Sequence, residues 1–275
     1  MPPRASSHLT RRFRLIALTA GLAGLFVLAN AAAASAASSA HYVALGDSYS
    51  SGVGAGSYFS SSGSCDRSAN AYPQLWHNAK APAAYAFVAC SGASTQDVVH
   101  NQLSALSGTT TLVSITIGGN DVGFSSVMET CVLFSTSTCV SAIKTSEGEM
   151  ASQLPAELDN VLGAIASHAP SARVVVLGYP ELYDLSKSST CIGLSSTDRT
   201  DLNQAADELD TQIQAAAGRH HDIYADVRAA FGGHEICDST SWLHSVDWLN
   251  LGVSYHPTAA GQSGAYYPVF SAAAG

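Results

Sequence analysis

Four residues that lie far apart in the chain have the side-chain types needed for nucleophilic attack on an ester. Ser48 supplies a hydroxyl, and His256 supplies an imidazole that can accept the hydroxyl proton. Gly92 and Asn120 can supply N–H donors for the negative charge that develops on the carbonyl oxygen. Nucleophile, base and oxyanion donors are the minimum set for acyl transfer, provided that the fold brings them together.

The first three of these residues each follow an apolar run of strand length. The runs are residues 42–45, 85–89 and 112–117, and each ends at a small polar residue or Gly. Parallel strands have their carboxyl ends at one edge of the sheet, where open α/β folds place their chemistry. We therefore expect Ser48, Gly92 and Asn120 to converge there, with His256 entering from the loop before the last helix.

The remaining elements alternate in the same way. Further strands are predicted at 173–177 and 222–226, and helices at 72–80, from Ser94 or Thr95 onward, at about 141–168 with an interruption near Pro155, at 196–217 and at about 257–267. Residues 227–252 are predicted as a loop-rich insertion. This alternation predicts an α/β fold with a mostly parallel sheet between helix layers.

The four blocks resemble the SGNH hydrolases, also called GDSL esterases and lipases. They stand here as Gly46-Asp47-Ser48-Tyr49-Ser50-Ser51-Gly52, Gly92, Gly118-Gly119-Asn120-Asp121 and His256-Pro257. The resemblance implies Ser48 as nucleophile, His256 as base and then acid, and an oxyanion hole from Ser48, Gly92 and Asn120. It also implies a flavodoxin-like three-layer αβα sandwich around a five-stranded parallel sheet, with no metal and no organic cofactor.

Within that family the chain is most similar to the secreted lipases and phospholipases of actinomycetes, which have three disulfides. It shares their six-cysteine arrangement and the Ser-Tyr-Ser-Ser-Gly continuation after Asp47. The resemblance implies a lipase or esterase that cleaves fatty-acyl esters. A phospholipase A-type acylhydrolase is the first alternative, and a carbohydrate acetylesterase is the second. A hypothesis from a different functional class is a non-catalytic exported binding protein with the same fold.

One position departs from the family pattern. The family usually has an Asp three residues before the His, and this chain has Val253 there. An apolar side chain cannot accept the imidazole N–H, so we expect the backbone carbonyl of Ser254 to orient His256 and leave a Ser-His dyad. The rival is the carboxylate of Asp247, folded back onto the ring.

Residues 1–36 have the pattern of a secretory signal peptide. Four arginines precede an apolar run at 15–29, and Ala34-Ser35-Ala36 offers a cleavage site. The run is shorter than the roughly 20 residues of a spanning helix. We therefore expect a secreted, extracellular protein without a stable membrane anchor, in which residues 37–275 form one domain.

The charge limits the partners of that domain. The 275-residue chain has 12 Lys and Arg against 21 Asp and Glu. Removing residues 1–36 takes away four of the basic residues and none of the acidic ones, which leaves a formal charge of −13. Nucleic acid and anionic membranes are therefore poor partners, and a lipid or small ester is the expected one. A monomer is expected.

The six cysteines at 65, 90, 131, 139, 191 and 237 are an even number in a chain predicted to be exported, which favours disulfides. Fifteen pairings are possible. We favour the sequential ones, Cys65–Cys90, Cys131–Cys139 and Cys191–Cys237, because the short gap between Cys131 and Cys139 is typical of a stapled loop. A Cys-x-x-Cys spacing is absent, which argues against a zinc site.

Other conspicuous residues have structural interpretations. Asp47 adjoins Ser48, but a turn Asp more often bonds neighbouring backbone N–H groups. The glycines at 52–56 lack the third glycine of a dinucleotide motif, since Ser57 stands there. Two interpretations stay open for Trp242, Trp248 and Tyr255, the aromatic residues before His256. They either line an acyl pocket or cover the core. His220, His221, His234 and His244 are predicted to be surface residues.

Overall fold

The computed structural model describes residues 38–187 and 189–275, so the predicted signal peptide lies outside the described residues. Five strands form one parallel sheet in the order β2-β1-β3-β4-β5. They are β1 His41–Ala44, β2 Ala84–Phe87, β3 Leu112–Ile115, β4 Arg173–Leu177 and β5 Ile223–Ala225. All five strands were predicted, and each lies within two residues of its predicted bounds.

Helices cover both faces of the sheet and complete a three-layer αβα sandwich, which confirms the predicted fold class. The longer ones are α2 Tyr72–Lys80, α3 Thr95–Asn101, α4 Phe124–Leu133, α5 Thr136–Ser152, α6 Leu154–His168, α7 Ser196–His220 and α10 Tyr267–Ala274. Short helical turns are α1 Ser48–Ser51, α8 Arg228–Phe231 and α9 Ala259–Gly261, and a π-helical turn, Gln262–Tyr266, joins α9 to α10. Helices α3, α5, α6 and α7 pack together, and α2 packs on α10.

Local sequence explains where two of these helices begin. Ser94 accepts a hydrogen bond from the Asp97 N–H, and the Asp97 carboxylate accepts from the Ser94 N–H. Ser195 and Asp198 make the same reciprocal pair at the start of α7. Such capping boxes satisfy backbone N–H groups that have no partner within the helix. The predicted start of α3 is therefore confirmed.

Two predicted helix bounds were wrong. The helical region begins at Phe124, well before the predicted residue 141. The sequence did not predict this start because α4 and the first half of α5 are rich in Ser and Thr, which are weak helix formers. The last helix continues past residue 267. Pro268 follows a π-helical turn and occupies the first turn of α10, where its missing N–H costs no hydrogen bond.

The structure contains three disulfides with the sequential pairing, Cys65–Cys90, Cys131–Cys139 and Cys191–Cys237. The second joins α4 to α5, and the third ties the loop after Lys187 to the loop before Trp242. In the part of the chain that the structure describes, no helix combines the length and hydropathy needed to cross a membrane.

Candidate active site

The turn after β1 presents Ser48 as the first residue of α1. Gly46 has a φ of 121°, and a Cβ there would lie 2.5 Å from the Thr116 carbonyl oxygen, so only Gly fits. The Gln102 side chain accepts from the Gly46 N–H at 2.8 Å and donates to its carbonyl at 2.9 Å. These contacts hold the backbone that leads into Ser48 in one conformation.

Asp47 supports this turn from within the core. Its Oδ1 accepts hydrogen bonds from the Tyr49 N–H at 3.0 Å and the Thr116 hydroxyl at 2.6 Å, and its Oδ2 accepts from the Tyr179 hydroxyl. Burial raises the pKa of the Asp47 carboxyl to about 6, although the hydrogen bonds act in the opposite direction. The carboxylate therefore caps α1, as its position in the turn predicted, and does not contact His256.

The imidazole of His256 contacts Ser48. Its Nε2 lies 2.8 Å from the Ser48 Oγ, and its Nδ1 lies 3.0 Å from the Ser254 carbonyl oxygen. A carbonyl can only accept, so Nδ1 carries the proton and Nε2 is free to accept from the serine hydroxyl. Burial lowers the pKa of His256 to about 4, which keeps the ring neutral at pH 7.

Asp247 has a different role from the one considered in the rival prediction. Its Oδ1 accepts from the backbone N–H groups of Leu249 at 2.9 Å and Asn250 at 3.1 Å. Its own N–H donates to the Ser254 Oγ at 2.9 Å. The carboxylate thus closes the 247–250 turn and leaves Nδ1 of His256 to the Ser254 carbonyl.

The backbone before His256 is held in an unusual conformation. Tyr255 has a φ of 64°, a left-handed value that is uncommon for a residue with a side chain. Its N–H donates to the His244 carbonyl at 2.9 Å, and its own carbonyl accepts from the Tyr49 hydroxyl at 2.7 Å. The N–H of His244 donates to the His256 carbonyl at 3.0 Å. These bonds aim the imidazole at Ser48.

Gly54 completes the support of His256. The His244 Nε2 lies 2.8 Å from the Gly54 carbonyl oxygen. A Cβ on Gly54 would lie 2.7 Å from the Pro257 carbonyl oxygen and 3.1 Å from the Cβ of His256. Gly54 therefore packs closely against the His256 segment, which leaves no room for a side chain at this position.

The residues predicted to form the oxyanion hole lie after the ends of the neighbouring strands. Asn120 lines the same small cavity as Ser48, and one N–H of its amide donates to the Ala93 carbonyl at 3.0 Å, so the second remains available. Within residues 38–187 and 189–275, the backbone N–H groups of Ser48 and Gly92 donate to no protein acceptor. The adjacent Cys90 N–H donates to the Gly46 carbonyl at 3.0 Å, which joins the Gly92 turn to the Ser48 turn.

Apolar space adjoins both Ser48 and His256. A small cavity of about 50 Å³ lies between Ser48, Asn120, Met150 and Leu209. A larger groove of about 350 Å³ is lined by His256, Tyr255, Trp248 and apolar residues of α4. Of the three aromatic residues with two open readings, Trp248 and Tyr255 line this groove. Trp242 instead stacks on His234, with ring centroids 3.7 Å apart.

Several supporting residues gave no sequence signal. Gln102, Thr116 and Tyr179 contact the Ser48 turn from distant parts of the chain, and each is an ordinary residue for a helix or strand end. His244 was predicted to be a surface residue, yet it bonds Gly54 and the His256 segment. The side chain of His220, by contrast, bonds an exposed carboxylate, that of Asp159, at 3.1 Å.

The comparison with known families agrees with this geometry. The sequence profile of the GDSL-like lipase/acylhydrolase family matches residues 44–263, which include Ser48 and His256. The chain belongs to this family. The GDSL-like chain is therefore a carboxylic ester hydrolase.

Relatives of this GDSL-like acylhydrolase come from Streptomyces. Lipase 1 of Streptomyces coelicolor is 55% identical over 96% of this chain and 100% of its own length. The crystal structure of phospholipase A1 from Streptomyces albidoflavus superposes with a TM-score of 0.84 at 54% identity, covering 86% of this chain and 99% of that one. The extracellular lipase of Streptomyces rimosus gives 0.83 at 50% identity, covering 85% and 99%.

Proposed function

We propose that the protein is a secreted lipase that cleaves fatty-acyl esters through an acyl-enzyme on Ser48, with His256 as the base. The observation that carries this proposal is the 2.8 Å contact between Ser48 Oγ and His256 Nε2. Hydrogen-bond reach between nucleophile and base is the geometric requirement for activating a serine hydroxyl.

The positions of these atoms support the following reaction. Ser48 Oγ attacks the ester carbonyl carbon while its proton passes to His256 Nε2. The oxygen that becomes negative accepts hydrogen bonds from the N–H groups of Ser48 and Gly92 and from the Asn120 amide. His256 then gives its proton to the departing alcohol oxygen. A water molecule then attacks the carbonyl carbon of the acyl-enzyme while its proton passes to His256 Nε2. His256 returns this proton to Ser48 Oγ, which releases the fatty acid and restores the Ser48 hydroxyl.

The orienter of His256 is a neutral group. The Ser254 carbonyl accepts the Nδ1–H and holds the ring in the required tautomer. It stabilises the imidazolium less than a carboxylate does, and although this hydrogen bond raises the pKa of His256, burial lowers it to about 4. We therefore propose a Ser-His dyad.

A phospholipase A-type activity is the second candidate. It is favoured by the 54% identity to the phospholipase A1 of Streptomyces albidoflavus, which equals the similarity to the named lipases within a few per cent. Both activities break the same kind of bond, and they differ in the group attached to the alcohol oxygen. The apolar groove beside His256 suits the acyl chains of either substrate.

Secretion is part of the proposal. Residues 1–36 have the signal-peptide pattern, and the three disulfides suit an oxidising compartment. One of the similar proteins is an extracellular lipase. We propose that residues 37–275 act outside the cell as a single domain.

Two measurements test this function. Hydrolysis of tributyrin, a long-chain triacylglycerol and phosphatidylcholine by the wild type is compared with Ser48→Ala, which is expected to lose activity on all three by at least about 10⁴-fold. An organophosphonate is expected to label the wild type at Ser48, as read by mass spectrometry. Full activity in Ser48→Ala would exclude the proposed nucleophile, and preference for phosphatidylcholine would select the second candidate.

A further inference from the structure

Two segments beside the active site expose large apolar side chains to solvent. At the end of α4, Leu133 is 53% exposed and Phe134 is 63% exposed. In the loop before His256, Trp248 is 65% exposed, Leu249 is 99% exposed and Leu251 is 62% exposed. These two segments contribute five of the nine large apolar side chains that are exposed within residues 38–187 and 189–275.

The two segments meet at one place. Leu133, Trp248 and Leu251 line the groove that also contains His256. Phe134 adjoins Leu133, and Leu249 lies between Trp248 and Leu251 in the chain, so the five exposed side chains together form an apolar rim beside the groove. The rim is therefore continuous with the groove that His256 lines, and His256 contacts Ser48.

Contiguous apolar exposure of this kind usually marks a binding surface, because water otherwise opposes it. We propose that Leu133, Phe134, Trp248, Leu249 and Leu251 form a lipid-docking surface that seats the groove on a lipid aggregate. The inference rests on the proposed acylhydrolase function, and it adds the partner, a lipid–water interface. Its side chains enter the lipid, and an ester then moves into the groove without crossing water.

Charge selects the kind of lipid. Residues 37–275 have a formal charge of −13, from 8 Lys and Arg against 21 Asp and Glu, and each segment carries an acidic residue, Glu129 on α4 and Asp247 in the loop. An anionic lipid surface repels this arrangement, whereas a zwitterionic or neutral one does not. The lipid-docking surface therefore fits phosphatidylcholine or triacylglycerol and not phosphatidylglycerol.

A second copy of the chain is the competing occupant. A dimer formed through this rim would cover the mouth of the groove and exclude the ester from His256. Lipid is consistent with an open groove, because the lipid is itself the substrate. Size-exclusion chromatography of the protein without lipid distinguishes the two occupants, because a dimer would elute at twice the monomer mass in a fraction that rises with protein concentration.

The kinetic test uses the exposed residues that do not line the groove. Phe134→Ser/Leu249→Ser is compared with wild type and with Ile192→Ser, a control that removes an apolar side chain 97% exposed elsewhere. We expect the double variant to hydrolyse monomeric p-nitrophenyl acetate within about twofold of wild type, and phosphatidylcholine vesicles about 100-fold more slowly, from roughly tenfold per buried side chain. Ile192→Ser is expected to match wild type on both substrates.

The binding test uses Ser48→Ala protein, which leaves the vesicles intact. With phosphatidylcholine vesicles, the fluorescence of Trp248 is expected to shift to shorter wavelength, because the ring leaves water. The shift is expected to disappear in Trp248→Phe, and co-sedimentation is expected to fall about 100-fold in Phe134→Ser/Leu249→Ser.

Three outcomes would overturn the inference. They are unchanged vesicle binding by the double variant, an equal loss on the monomeric ester, and a dimer that the double variant dissociates. None of these outcomes bears on the proposed role of Ser48, because that role is tested separately by comparing wild type with Ser48→Ala on the monomeric ester. Selective loss on vesicles with unchanged turnover of the monomeric ester supports the lipid-docking surface.

Discussion

The Nδ1 of His256 lies 3.0 Å from the carbonyl oxygen of Ser254, only two residues before it in the chain. A chain segment thus orients the imidazole of its own proposed base through a backbone carbonyl. The segment reaches this geometry because Tyr255 between them adopts a left-handed φ of 64°. The neutral carbonyl replaces the carboxylate that usually partners a catalytic imidazole, and several predictions depend on this replacement.

The first prediction concerns the two possible orienters. Asp247→Asn is expected to keep turnover of a soluble ester within about threefold of wild type, because the Asp247 carboxylate bonds backbone N–H groups and not the imidazole. If Asp247 oriented His256, the same change would cost about 10⁴ in kcat. Ser254→Ala is the matched control, because it keeps the carbonyl and removes only the side-chain hydroxyl.

The second prediction is an unusually acid-tolerant activity. Protonated His256 cannot accept the Ser48 proton, so activity is lost as the pH falls through the pKa of the ring. Burial lowers that pKa to about 4, and we expect the acid limb of kcat/KM there rather than near 6.5. The pH profile of a soluble ester measures it. An acid limb near pH 6.5 contradicts the prediction.

The third prediction separates support of the turn from catalysis at Asp47. Asp47→Ala leaves the Thr116 and Tyr179 hydroxyls without their buried acceptor, and we expect a loss of about 3 kcal/mol in the free energy of unfolding. Urea denaturation measures this loss. Tyr179→Phe removes one of the three donors and is expected to lose less. An Asp47→Ala protein of wild-type stability would contradict the structural role.

The fourth prediction tests how His256 is positioned. Tyr49→Phe removes the hydroxyl that donates to the Tyr255 carbonyl and leaves that buried oxygen unpaired. We expect kcat on a soluble ester to fall about tenfold with KM little changed, because about 1.4 kcal/mol of orienting interaction is lost. Tyr183→Phe is the control, since its hydroxyl bonds the Tyr255 side chain and not the carbonyl. Equal effects of the two changes would refute the positioning role.

The fifth prediction concerns stability and pH. Burial raises the pKa of the Asp210 carboxyl to about 7. The folded state therefore holds this proton more tightly than the unfolded state, and the resulting stability is present below about pH 4 and lost as the pH rises through about 7. Relative to Asp210→Asn, the wild type is expected to gain about 2 kcal/mol in the free energy of unfolding between pH 8 and pH 5. A constant difference between the two proteins across this range would contradict the raised pKa.

The sequence was most informative where chemistry follows a strand. Ser48 and Asn120 each stand shortly after an apolar run, and parallel strands end at a common edge, so linear order alone predicted the convergence. The sheet and its five strands were predicted for the same reason. Weak helix propensity hid α4 and the start of α5, because packing and the Cys131–Cys139 disulfide stabilise them more than local preference does.

Local pattern by itself determined the sheet and the family and predicted the four candidate site residues, because each depends on short blocks of neighbouring residues in the chain. Only the tertiary structure decided which groups surround His256. Tyr49 and Gly54 lie more than 200 residues from it, and they act on it through hydrogen bonds and close packing that no local pattern records. The choice between the Ser254 carbonyl and the Asp247 carboxylate likewise depended on the path of the 247–256 loop, which its contacts with the rest of the fold determine.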